Sequence, residues 1–169
     1  MKQITKFFAL AILMLAFAAS TYAQTASAIA TATIVTPIAI SKTVDMNFGN
    51  IVAGVGGTVV LSPAGIRTPT GVTFLPTQPG TVTAASFNVT GEGTLTYAIT
   101  LPVANYTITR ISGAETMIVN TFTSTPSGAG ALASGSQTLT VGATLTVSAA
   151  QVPGVYTNAV GFNVTVNYN

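Results

Sequence analysis

Apolar residues recur at every second position along most of the chain, and that period admits little besides β-strands with one buried face. "TVDMNFGN" sets Val44, Met46 and Phe48 on one side and Asp45 and Asn47 on the other. "AASFNVTG" does the same with Ala85, Phe87 and Val89, "TLTYAITL" with Leu95, Tyr97, Ile99 and Leu101, and the stretch from Phe162 with Val164, Val166 and Tyr168 against Asn163, Thr165, Asn167 and Asn169. "TASAIATATIV" alternates as well: Ala26, Ala28, Ala30, Ala32 and Ile34 form one row, and Pro37 ends it because proline has no donor for a ladder. "GTVVLSP", "GVTFL", "NYTITR", "TMIVNTFTS", "SQTLTVG" and "ATLTVSA" complete a set of about ten short strands punctuated by Gly, Pro and Thr.

No helical stripe survives beyond the start of the chain, so the expected fold class is all-β, an antiparallel β-sandwich. "GEG" at 91–93 reads as a tight hairpin joining the Phe87–Val89 strand to the Tyr97–Ile99 strand, and Gly142 as a second hairpin turn. Residues 124–136 read as a Gly/Ser-rich loop. The expected interior comprises Val44, Met46, Phe48, Phe87, Val89, Tyr97, Ile99, Phe162, Val164 and Val166. A closed membrane barrel would want longer strands, of about ten residues, with aromatic girdles, and the chain has no Trp.

The exception to the period is the beginning. Lys2 and Lys6 precede an apolar run from Phe7 to Ala19, and "STYAQ" then offers Thr21 and Ala23 as the small residues a signal peptidase needs. Residues 1–23 are therefore expected to be a cleaved signal peptide, and 24–169 one β-sandwich domain. The apolar run falls short of the about 20 residues that span a bilayer, so no transmembrane segment is expected in the mature chain. Its place would be the periplasm, the cell surface or the medium.

Charge and residue usage then exclude whole classes of function. Charged residues make up 5% of the chain, against about 25% in an ordinary soluble domain. Beyond the leader, Lys42, Arg67 and Arg110 balance Asp45, Glu92 and Glu115, so no basic patch exists to neutralise phosphates, and nucleic acid is not an expected partner. A nearly uncharged, Thr-rich surface offers little repulsion against self-association. Cysteine and histidine are both absent, which removes disulfides, thiolate metal sites and the side chain that most often does acid–base work near neutral pH. No cofactor, metal or catalytic residue is expected.

The remaining motifs have plain readings. "GVGGT" at 54–58 could cradle a phosphate only with a helix N-terminus behind it; a strand follows, so it is a loop. Asp45, Glu92 and Glu115 sit on a strand, in a turn and beside Gly113, without the pairing that glycosidic chemistry needs. "DMN" supplies only two side chains of the several oxygens calcium requires. The Asn-X-Thr triplets at Asn88, Asn105 and Asn163 are what a Thr- and Asn-rich strand protein produces by chance.

Two resemblances rest on longer stretches. "MNFGNI" at 46–51 and the closing "PGVYTNAVGFNVTVNY" at 153–168 resemble the end motifs of chaperone–usher pilus subunits, nearest to the archaic, spore-coat-U-like group. "GGTVVLSPAGIRTPTGV" and "GSQTLTVGATLTVSA", with the rest of the mature chain, resemble an uncharacterised family of small secreted β-proteins of Gram-negative bacteria, a domain of unknown function.

The pilin resemblance implies an incomplete immunoglobulin-like sandwich, lacking its last strand, whose open groove accepts the N-terminal extension of the next subunit. Its partners would be further surface subunits, a periplasmic chaperone and an usher. Residues 24–35, with Ala26, Ala28, Ala30, Ala32 and Ile34 inward, would donate a strand; Phe162, Val164, Val166 and Tyr168 would line the accepting edge. The chain departs from that group in lacking a disulfide and in its small donor side chains, and 24–35 reads equally as the first strand of a complete sandwich. Two functions follow: a fimbria-like adhesive or structural subunit assembled by strand exchange, or a self-contained secreted module that binds carbohydrate or a surface protein.

Overall fold

A computed structural model describes residues 23–169. The expected signal peptide therefore lies outside the described residues but for Ala23. By its contacts the chain divides after Ile34, and Val35–Asn169 forms the β-domain. Its strands are β1 (Ala39–Val44), β2 (Asn47–Phe48), β3 (Gly57–Leu61), β4 (Arg67–Thr70), β5 (Val82–Thr83), β6 (Ala85–Thr90) and β7 (Thr96–Thr100). They continue with β8 (Tyr106–Arg110), β9 (Thr116–Thr125), β10 (Ala129–Ala131), β11 (Ser136–Val147), β12 (Tyr156–Thr157) and β13 (Thr165–Tyr168). All pairings are antiparallel, and no helix occurs among the described residues. The expected all-β sandwich is the observed fold.

The spine is β11, whose twelve residues keep Leu139, Val141, Ala143, Leu145 and Val147 buried at alternate positions. Its first half pairs with β6 and its second with β3 along one edge, while β9 takes the other. Outward from these lie β1 on β6, β8 on β9, β12 on β8 and β4 on β3. The facing layer is smaller, consisting of β10–β7–β13 and the short pair β2–β5. Tyr97, Leu132 and Val166 close over Ala85, Phe87, Val89, Leu139 and Val141 in one core; Val59, Val72, Val119, Leu145 and Val147 form a second, backed by Met46, Phe48 and Phe74. Full burial of each such Leu or Val contributes about 1.5–3 kcal/mol.

Several expectations change in the structure. Residues 24–35 form no strand: Ala23–Pro37 is exposed throughout and has no ladder partner, so its period of two is unused within the chain. The first strand is β1, carried by the alternation of Ile38 and Ile40. The hairpin expected at 91–93 is absent, because β1 and β11 already occupy both edges of β6. The chain instead crosses to the facing layer, where β7 pairs with β10 and β13. Gly142 is no turn but lies inside β11, where a Cβ would collide with the Leu61 carbonyl oxygen. "SQTLTVG" and "ATLTVSA" are therefore one strand. The stretch 124–136 holds the end of β9 and all of β10. Val44 is 41% exposed rather than interior, since β1 ends there.

Candidate functional site

The end of the chain is built as its alternation requires. Val166 is buried, and Phe162, Val164 and Tyr168 pack half-buried against the same core, while Asn163, Thr165, Asn167 and Asn169 are exposed. β13 pairs with β7 from Thr165↔Thr100 to Tyr168↔Tyr97, and the Asn169 amide extends that edge to the Thr96 carbonyl. Its other edge has no ladder partner. β1 runs nearby at the margin of the large sheet, yet no ladder joins the two strands. A free edge backed by a buried row of side chains is what an added strand needs.

Ahead of β13, around Phe162, the facing layer opens. An open cleft of about 1210 Å³ has Phe87, Ile108, Met117, Val119, Leu145 and Val147 among its lining. Phe162 stands where β13 gives way to the cleft, with ring centroids 4.8 Å from Phe122, 5.7 Å from Tyr106 and 6.5 Å from Phe87. Phe122 reaches this cluster through a bulge: the register against β11 slips between Asn120 and Thr123, Thr121 takes a positive φ of 49°, and the inward parity passes from Val119 to Phe122 and Ser124.

The polar groups around the cleft are engaged locally. The Asn47 side chain accepts from the Gly49 amide at 2.8 Å, Asn50 donates to the Gln78 carbonyl at 3.0 Å, and Asn158 donates to the Thr107 carbonyl at 2.8 Å. The Tyr106 hydroxyl donates to the Asn158 carbonyl at 3.1 Å and that of Tyr156 to the Val152 carbonyl at 2.6 Å. Burial raises the Tyr106 phenol above its ordinary pKa. Ile108 and Met117 give the cleft apolar wall, and several of the polar side chains around it bond the protein's own backbone.

The charged residues are scattered and matched. Lys42 bonds Asp45 at 2.6 Å, and Arg110 grips Glu115 through Nε and Nη2 at 2.6 and 3.2 Å, holding the Glu115 carboxyl below the usual range. Arg67 donates to the carbonyls of Phe48 and Asn50 and lies over the Phe74 ring, 3.9 Å from its centroid. Glu92 accepts from Thr36. Among the described residues no three His, Cys, Asp or Glu side chains gather as metal ligands would. The "GVGGT" glycines turn through a Gly56 amide to Ala53 carbonyl bond and lead into β3.

The structure thus brings Phe162, Val164, Val166 and Tyr168 together on one core-facing row. It leaves Ala26, Ala28, Ala30, Ala32 and Ile34 solvent-exposed on a segment without a ladder, with Ile34 97% accessible. The cleft floor was not foreseen. Ile108 and Met117 alternate like any strand residues, and only the three-dimensional arrangement reveals that they stay part-exposed in the cleft, whereas Leu145 is buried. The arrangement can take up an extended chain: backbone groups along β13, and apolar space for alternate side chains beyond Phe162.

No curated protein and no solved structure matches the chain significantly. A family profile matches residues 38–168, the β-domain without the alternating segment that precedes it. The chain belongs to the family described as a domain of unknown function (DUF4402).

Proposed function

We propose that the protein is a non-catalytic, exported surface subunit that assembles by strand exchange, residues 24–35 of one copy adding to the free edge of β13 of another and covering its cleft. One observation carries this reading: a single chain holds both an alternating segment with no ladder and a strand edge with no partner, and an open cleft begins at Phe162, ahead of that strand. Main-chain hydrogen bonds would supply affinity, and alternate side chains would set the register. A row of Ala suits a cleft whose mouth Phe162 already narrows. The charge-poor surface and the absence of His and Cys accord with a structural role. A self-contained carbohydrate-binding module is the weaker reading, because the amides and phenols around the cleft are bonded to the protein's own backbone.

The test is deletion of residues 24–35. Sedimentation should show polymers of the intact protein and a monomeric deletion variant that still melts cooperatively and binds a synthetic peptide of residues 24–35. A deletion variant that loses its own cooperative melt would end the strand-exchange reading.

A further inference from the structure

Three residues far apart in sequence close a ring of hydrogen bonds at the root of the N-terminal segment. The Thr36 amide and hydroxyl both donate to Glu92 Oε2, at 3.0 and 2.7 Å. The Glu92 amide donates to the Tyr168 hydroxyl at 2.6 Å, and that hydroxyl donates to the Thr36 carbonyl at 2.8 Å. Every donor in the ring has an acceptor. The neighbouring residues favour it: a Cβ at position 91 would collide with the Tyr168 hydroxyl, so Gly91 admits the ring, and Pro37 holds Thr36 extended by excluding the helical conformation before it.

We infer that Thr36, Glu92 and Tyr168 form a clasp that anchors Thr36, the root of the outgoing segment, to β13 and so keeps the step between successive copies in the assembly regular. This rests on the strand-exchange reading. Tyr168 belongs to β13, whose free edge receives the incoming segment, and the same residue holds the root of the outgoing one. Incoming and outgoing strands are thus referred to one side chain. Without the clasp, Pro37 and the start of β1 at Ala39 would alone connect the segment to the domain. Glu92, the acid in a turn that takes part in no cluster, acquires a purpose as a positioning residue.

Two measurements on the full chain test this. Amide hydrogen exchange on the monomer should find Thr36 protected relative to Val35, the protection lost in Glu92→Ala and restored in Glu92→Gln, whose amide oxygen still accepts. Tyr168→Phe, which removes the hydroxyl that bonds both the Glu92 amide and the Thr36 carbonyl, provides a second opening of the clasp should Glu92→Ala fold poorly. Electron microscopy should find a uniform angular step between copies of the parent and a broadened distribution for Glu92→Ala, with a cooperative melt retained. A Thr36 amide that exchanges as fast as Val35 in a protein that polymerises would refute the clasp alone, as would Glu92→Ala polymers as regular as the parent's. A protected Thr36 in a parent that forms no polymer would refute strand exchange and, with it, the clasp's role in keeping the step regular.

Discussion

Placing a carboxylate at position 30 separates the exposed state of the N-terminal segment from its proposed buried one. In the monomer Ala30 is exposed and in no ladder, so Ala30→Asp is a surface change and should leave stability within about 0.5 kcal/mol. In the proposed assembly the same side chain would face the cleft that Ile108 and Met117 line. The described cations are already occupied, Lys42 by Asp45, Arg110 by Glu115 and Arg67 by two backbone carbonyls. An uncompensated buried charge costs about 3–5 kcal/mol; at about 1.4 kcal/mol per tenfold, the association constant should fall roughly a thousandfold. Thr31→Asp puts the same charge on the opposite, outward row and should change association little. Sedimentation velocity and thermal melting of both variants beside the parent decide the matter. Equal weakening by the two substitutions, or a lowered melting temperature for Ala30→Asp alone, would refute the reasoning.

The domain itself supplies further tests. Phe87, 8% exposed between β6 and the facing layer, should cost about 3–5 kcal/mol when replaced by Ala, read as a lowered denaturation midpoint. Gly130→Ala should destabilise more than its single methyl suggests, because a Cβ there meets the Tyr97 ring and the Gln137 oxygen that accepts the Tyr97 hydroxyl at 2.7 Å; thermal unfolding checks it, with Tyr97→Phe as the milder comparison at about 0.5–1.5 kcal/mol. Hydrogen bonds from Thr36 and from Arg110 lower the Glu92 and Glu115 carboxyls in the fold. Their stabilisation is complete above the ordinary carboxylate value of about 4.3 and is lost as pH falls through the lower folded values, so melting temperature should decline on the acid side, less steeply in a Glu92→Gln, Glu115→Gln variant. Mass spectrometry of the exported protein should find Gln24 first.

Period two made the class and most strands legible: Ala85, Phe87 and Val89 lie inward as their alternation demands, and so do Phe162, Val164 and Val166. Pairing was less legible, because a turn's residues do not reveal whether the edge they return to is free. "GEG" suits a hairpin, but β1 and β11 claim both edges of β6 through partners at distant positions in sequence. Gly142 misled for a related reason: a glycine can mark a turn or a close approach of another strand, and here the Leu61 backbone decides. The bulge that redirects Phe122 left no signal beyond a Thr121 whose backbone is unusual only in three dimensions. The candidate site was half legible, its edge strand readable from alternation and its uncovered floor not. The clasp could not be read at all, since it joins residues up to 132 positions apart.

The order in which strands enter the sandwich has a kinetic consequence. β11 is the shared neighbour of β3, β6 and β9, yet all three precede it in the chain. During synthesis, and during any passage across a membrane from the N-terminus, those strands emerge with the edges that β11 will occupy still open. The pairs β1–β6, β3–β4 and β8–β9 can form beforehand, but their joining into one sheet waits for β11. Topologies dominated by such non-local pairings fold slowly and expose unsatisfied edges while they do. The β-rich, charge-poor intermediates carry little charge repulsion to keep them apart until β11 arrives.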